Sequence, residues 1–377
     1  MNVPFYGLLR KANRSVKLIK KRRAGGIISP CRRIERVSPP RERMCAMTFD
    51  DGPCEMPPNP GVPGGSGLTA HLLGVLKKYG VRGTFNIIGG TAENYPDEAG
   101  EAGGRYAFGT KYDHYAMFGR DGMAGAAACP ELLRRMADEG HELSSHTYRH
   151  IIWGPSRTVY GSRVYMSGLD EALNDLRRLH GLVREITGVE MRFGRPPHYV
   201  DKMPDGKNAY DAYTEMGYHY LAASFDGGGW LPITGGYDDG VNAMVEPLKR
   251  ALESNPDALN GQIIFQKDGF NMSLQTPVAS ALPLQLELLE KYGYKVVTAS
   301  ELTDASPFED LRYDDPCFDA VSALEKAGYV TGFRNNCFYP DRRVTKNQLA
   351  ALKHEGLEIP PGMTRRDFAV FFAKKVL

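Results

Sequence analysis

The sequence predicts an α/β protein: a distorted barrel of about seven β-α units, followed by a small, mostly helical segment. Three observations lead there. From Met44 to Thr298, short β-rich apolar runs alternate with segments of helical spacing, and regular alternation of this kind implies a parallel sheet. Seven such runs occur, one short of the eight-unit barrel. Residues able to do chemistry follow five of the seven runs, at the strand ends where α/β barrels gather their active groups.

The elements follow in order. Met44–Phe49 is a short apolar run that stops at two Asp and a Gly-Pro. Leu68, Leu72, Val75, Leu76 and Tyr79 have helical spacing and end at Gly80, the residue type that caps helices in left-handed conformation. Arg82–Ile88 is the second strand. Pro130–Glu139 opens with Pro in a first-turn position and closes at Gly140, which predicts a helix. His141–Ser145 is the third strand. Leu169, Leu173, Leu176, Leu179, Val183 and Ile186 mark a long amphipathic helix that Gly188 ends. Met191–Gly194 is a brief strand, and Tyr210–Met216 a helix closed by Gly217. Tyr218–Ser224, Gln262–Gln266 and Tyr294–Thr298 complete the strands, separated by helices near 242–253 and 281–292. Two insertions, 54–67 and 89–129, break the rhythm, and loops of that length are uncommon without a role.

Composition narrows the class. The chain has 377 residues, 42% hydrophobic and 24% charged, proportions of a globular protein. No apolar stretch approaches the ~18 residues that span a bilayer. The six Cys form no CxxC pair, which argues against a zinc ribbon or a thioredoxin-like site. Net charge is +2 overall. Residues 1–43 nevertheless carry 13 Lys/Arg against Glu35 and Glu42, leaving the remainder acidic. This stretch reads as a solvated, partly helical arm, or as a contact for an anionic polymer, membrane surface or nucleic acid; no specific nucleic acid is expected. It lacks the apolar core of a secretory signal, so nothing in the chain as written exports the protein.

The polar residues at the strand ends point to a metal. Asp50 and Asp51 follow the first strand, His146 and His150 the third, Arg195 the fourth, Asp226 and Trp230 the fifth, and Gln266 ends the sixth. His146 and His150 are four apart and can aim two ring nitrogens at one ion if the segment turns helically. Two imidazoles and one carboxylate make an open site that leaves room for water, whose pKa the ion lowers. Many such His pairs bind nothing. His71, His114, His141, His180, His219 and His354 read as core or surface residues.

Thr48-Phe49-Asp50-Asp51-Gly52-Pro53 resembles the first motif of the polysaccharide deacetylases, the NodB homology family of carbohydrate esterases. His146-Thr147-Tyr148-Arg149-His150 is similar to their second motif, Arg195-Pro196-Pro197 to the third, and Asp226 with Trp230 to part of the fourth. The resemblance covers residues 44–305 and implies a distorted barrel of about seven units. It implies that Asp51, His146 and His150 hold a divalent ion, zinc first among cobalt, iron and nickel, and that Asp50 is the general base. Arg195 would orient Asp50 by a two-point guanidinium contact. The backbone N–H of His198 would help bind the oxyanion, and Trp230, Asp226 and Tyr199 would line the substrate; Trp230 reads equally as a rim-packing residue. The activity implied is removal of acetyl groups from an N-acetylated, chitin- or peptidoglycan-like glycan.

Departures from the family pattern bear on the leaving group. Gln266 stands in the position of the acid His, and Gly229 in that of the Asp that tunes it. A general acid is worth ~10²–10⁴ in rate, and Gln has no titratable proton. Asp50, His198 or Asp268 could supply the proton, the enzyme could prefer O-acetyl esters, or the protein could be a catalytically impaired glycan binder. Tyr106, Tyr112, Tyr115 and Phe118 in the second insertion could stack on sugars or pack the loop. Phe308-Glu309-Asp310-Leu311, a helix over Phe318–Ala327, Gly328–Gly332 and Phe338-Tyr339-Pro340 resemble an S-layer homology module, and Met363–Phe368 resembles the close of a second copy. That resemblance implies a segment 308–377 facing a cell-wall polymer and places the protein at a bacterial envelope, in conflict with the missing signal. Cys317 and Cys337 would bridge or stay free.

Overall fold

A computed structural model describes residues 31–55, 67–90, 124–155, 165–271, 273, 275–346, 348, 360 and 362–377. Most of both insertions, with Tyr106, Tyr112, His114, Tyr115 and Phe118, lies outside the described residues, as do residues 1–30 and His354.

The described strands are β1 (Arg33–Ile34), β2 (Met44–Asp50), β3 (Thr84–Ile87), β4 (Glu142–Ser145), β5 (Phe193–Gly194), β6 (His219–Leu221), β7 (Phe225–Asp226), β8 (Ile263–Lys267) and β9 (Lys295–Val297). They form one sheet in the order β1-β6-β5-β4-β3-β2-β8-β7, with β9 beside the first half of β2. Every ladder is parallel. The predicted α/β class is therefore observed, as a curled, half-open barrel.

The curl closes through the chain itself. The predicted strand Tyr218–Ser224 contains β6, and a further short strand, β7, follows directly after its end. β6 pairs with β5 and β1, Ser224 N donates to Ile263 O at 3.0 Å, and β7 then pairs with β8. One continuous segment thus changes neighbours partway along.

The helices that cover the sheet are α1 (Leu68–Lys78), α2 (Pro130–Asp138), α3 (Leu169–Thr187), α4 (Ala209–Met216), α5 (Tyr237–Ser254), α6 (Val278–Lys291) and α7 (Ala299–Ala305). Their ends are written in local chemistry. Gly188 ends α3 at φ 74°, where only glycine is unstrained. A reciprocal cap between Asn208 and Asp211 starts α4, and Thr298 with Glu301 starts α7 in the same way. That last helix means the seventh predicted strand also has a helix after it.

The expected basic arm needs correction over residues 31–43. Arg32 and Arg33 are 2% and 8% exposed and belong to the folded body. The Arg33 guanidinium lies 4.5 Å from the Tyr220 ring centre and its Nε 3.2 Å from Glu35, while Arg32 donates to Pro307 O at 3.0 Å and to Glu325 at 2.5 Å. A guanidinium can be buried when carboxylates and aromatic faces replace its water, which a count of charges does not reveal.

The main apolar core lies between strands and helices and includes the stacked Phe49 and Phe85, 4.8 Å apart. A second cluster, with Phe308, Val321, Leu324, Phe338 and Phe372, joins α8 (Phe318–Lys326) to α9 (Arg365–Val376). Cys317 and Cys337 do not bridge to one another. Among the described residues no helix is long and apolar enough to cross a membrane.

Candidate metal centre

The site is assembled at the C-terminal edge of the sheet. Asp50 is the last residue of β2 and stands in register with Asn86 on one side and Lys267 on the other. Asp51 follows at φ 85°, His150 sits at φ 54°, and Thr147, His198 and Tyr199 also have positive φ. Non-glycine residues in that region are strained, and such strain gathers where side chains must be aimed. The His146–His150 segment is therefore no helical turn. Its bend is pinned by Asp175 of α3, whose carboxylate accepts from Tyr148 N at 2.6 Å and from Arg149 Nε at 3.1 Å.

The two imidazoles and Asp51 converge. His146 Nε2 and His150 Nε2 lie 3.3 Å and 2.9 Å from Asp51 Oδ1, and the three donor atoms fall within 4.8 Å of one another, all buried. Yet Oδ1 receives no hydrogen bond of acceptable geometry among the described residues. That is the disposition of ligands around a shared point. His146 Nδ1 is 2.8 Å from Arg195 O; a carbonyl only accepts, so Nδ1 carries the proton and the Nε2 lone pair faces inward. Burial pushes the His150 imidazole down against the pull of Asp51, favouring the neutral form a metal needs. Burial alone would raise the Asp51 carboxyl, but Lys267, His150 and His146 hold it well below its ordinary range. This donor set fits a divalent cation.

Asp50 is held beside the triad. Its Oδ1 accepts from Arg195 Nη1 at 2.5 Å and from Asn86 Nδ2 at 2.6 Å, while Oδ2 is 3.8 Å from His146 Nε2. Arg195 is fully buried and also donates to Thr48 Oγ1 and Leu221 O. One guanidinium nitrogen, not two, meets the carboxylate; the expected two-point clamp is instead shared among Asp50, Thr48 and Leu221.

The same residues fall in a stretch that is similar to known proteins. The polysaccharide deacetylase family matches residues 38–221. Over those residues, just under half of the chain, the sequence is similar to the polysaccharide deacetylases. The chain is 25% identical over 256 residues to a chitin deacetylase of Arthroderma benhamiae, covering 68% of this chain and 50% of that protein. It is 24% identical over 267 residues to a peptidoglycan-N-acetylglucosamine deacetylase of Bacillus cereus, covering 70% of this chain and 90% of the other. The chain thus spans half the length of one relative and nine-tenths of the other. Among solved structures, the chitin deacetylase from Colletotrichum lindemuthianum aligns at TM-score 0.47 and 20% identity, over 72% of this chain and 90% of that one.

The remaining expected residues divide. His198 joins the site, its ring centre 5.6 Å from that of His150. The Arg195 guanidinium lies over the Tyr199 ring, 5.6 Å from its centre. Asp226, the last residue of β7, pairs with Trp230 beyond it, the indole Nε1 3.3 Å from both carboxylate oxygens. Gln266 requires correction. Its side chain donates to Gln285 Oε1 at 2.6 Å and lies under α5 and α6, away from the triad. Successive side chains of a strand point to opposite faces, so the next residue enters the site: Lys267 Nζ meets Asp51 Oδ2. Asp268 turns back, accepting from Thr69 Oγ1 and lying 3.6 Å from Cys54 Sγ.

Sequence reasoning missed Lys267, Asn86, Thr48 and Asp175. The available signal was strand register: Asn86 and Lys267 stand opposite Asp50, and Thr48 precedes it by two on the same face. His71, His141, His180 and His219 each have a hydrogen-bond partner away from the site, as read.

Proposed function

We propose that the protein is a metal-dependent hydrolase that removes acetyl groups from an N-acetylated, chitin- or peptidoglycan-like glycan. The observation that carries this reading is the convergence of Asp51, His146 and His150 within 4.8 Å beside an Arg195-held Asp50. A divalent cation, zinc by preference, held by those three residues supplies Lewis acidity that polarises an acyl carbonyl and eases the ionisation of water. Asp50 accepts the proton of the attacking water, and Arg195, with Thr48 and Leu221 fixing its other edges, keeps Asp50 aimed. The His198 backbone N–H donates to the developing oxyanion. Trp230 and Asp226, tied together, and Tyr199 border the acyl group.

A second reading rests on β8, which brings a lysine rather than a histidine to the site. An alkoxide leaves with less acid assistance than an amine, so O-acetyl esters are the substrate class to test beside amides; a binding protein of impaired activity is the remaining alternative. We also propose that residues 308–377 contact a cell-wall polymer, in keeping with their S-layer-like pattern. Acetate release should be measured on chitin oligomers, peptidoglycan and acetylxylan with zinc-restored protein. Release abolished by Asp51→Ala supports the hydrolase; release from none of the substrates refutes it.

A further inference from the structure

Four charged side chains meet at the candidate centre, and they balance. Asp50 is paired with Arg195 at 2.5 Å and Asp51 with Lys267. All four are 5% exposed or less. The two oxygens of Asp51 are divided between two cationic tasks: Oδ1 faces the imidazoles of His146 and His150, and Oδ2 faces the lysine ammonium. Gly269 and Gly229 lie beside the lysine stem. A Cβ at position 269 would lie 3.7 Å from Lys267 Cε and from Asp51 Cβ, and one at position 229 would lie 3.7 Å from Lys267 Cβ.

We propose that Lys267 is a built-in competitor for the cation: it neutralises Asp51 in the metal-free protein and yields that carboxylate when a divalent ion binds, so that the lysine sets the metal affinity of the site. The inference rests on the reading of Asp51, His146 and His150 as metal ligands. Two carboxylates, one guanidinium and one ammonium sum to zero, so the metal-free site is electrically balanced. A divalent cation leaves a surplus of two positive charges with Lys267 present and of one without it. Like charges a few ångströms apart repel strongly where water is excluded. The ion must either tolerate the ammonium across one carboxylate or displace it, and both weaken binding. The same pairing keeps Asp51 from standing uncompensated when metal is scarce, because a buried carboxylate without a partner is destabilising.

The test is zinc titration at one fixed pH, by chelator competition, on the full chain as wild type, Lys267→Met, Lys267→Arg and Asp51→Ala, with thermal denaturation of each metal-free protein. Lys267→Met should bind zinc at least about tenfold more tightly than wild type. Its metal-free form should melt lower, and zinc should raise its Tm further than it raises that of wild type. Lys267→Arg, which keeps the charge, should retain the wild-type Kd. If Lys267→Met does not purify folded, Lys267→Gln takes its place. A Kd unchanged or weaker in the uncharged variants overturns the proposal, as does a tightening in Lys267→Arg equal to that in Lys267→Met. Zinc binding by wild type that is lost in Asp51→Ala upholds the metal site whichever way the lysine variants fall. No binding by wild type and Lys267→Met alike overturns both readings.

Discussion

Asp268 should make the metal-free protein lose stability as pH rises, and Asp268→Asn should remove that loss. The carboxyl is fully buried and accepts from Thr69 Oγ1 at 2.8 Å and 2.7 Å. Burial, reinforced by the nearby Asp51 charge, pushes its pKa from 3.8 up to about 7, against the pull of the Thr69 and Cys54 hydrogen bonds. Between those values the folded protein keeps a proton that the unfolded chain has released. The stabilisation is complete below the unfolded value and is lost as pH climbs through the folded one. A shift of about three units at 1.36 kcal/mol each amounts to about 4 kcal/mol. Urea unfolding of wild type and Asp268→Asn, stepped from about pH 4 to pH 8, reads the difference between them. The other carboxylates and the histidines titrate in both proteins and largely cancel. The amide cannot ionise, so the variant should gain on wild type by about 4 kcal/mol across the window. A difference that stays flat with pH would refute the placement of this proton on Asp268.

Other substitutions test the placement of the remaining groups. Arg195→Met leaves Asp50 buried with Asn86 as its remaining described hydrogen-bond donor; urea unfolding should show a loss of about 3–5 kcal/mol, and acetate release should fall by about 10²–10⁴. Gly52→Ala would set a methyl group 1.9 Å from Asp268 Oδ2, so the Asp51 loop must shift; zinc affinity should fall in a chelator titration, while far-UV circular dichroism keeps its shape. Gln266→His should leave the acetate-release rate near wild type, because the new ring would face Gln285 rather than the triad. A marked gain in that variant would refute the assigned strand face.

Much of the architecture was legible because barrel units carry their own punctuation. The helices predicted at Leu68, Pro130, Leu169 and Tyr210 end at Gly80, Gly140, Gly188 and Gly217, each with φ between 64° and 78°, so the glycines are conformational requirements. What escaped depended on contacts remote in sequence. β1 is two residues long and stands in an arginine-rich stretch, and its reason to fold lies in Tyr220, Glu325 and the carbonyl of Pro307. The step between β6 and β7 is likewise invisible to apolar patterning, which ends the strand at Ser224 and leaves out β7, whose existence rests on its pairing with β8.

The site shows the same limit at the scale of one residue. Asp50, Asp51, His146, His150 and Arg195 could be read because each terminates a strand or opens a turn, and a strand end is easy to locate. Choosing between Gln266 and Lys267 is a question of parity, and parity is set by register with β2. Phe49 opposes Gln266 and Asp50 opposes Lys267, so the residue that shares a face with the Asp50 carboxylate is the lysine. A slip of one position exchanges an uncharged amide for a cation. It also changes the chemical question, from what supplies a proton in place of the amide to how a divalent ion shares Asp51 with an ammonium already bound to it. Gly229 stands beside the lysine stem at φ 82°, a conformation that a residue with a side chain adopts only at a cost, so restoring a carboxylate at 229 alone would strain the backbone there.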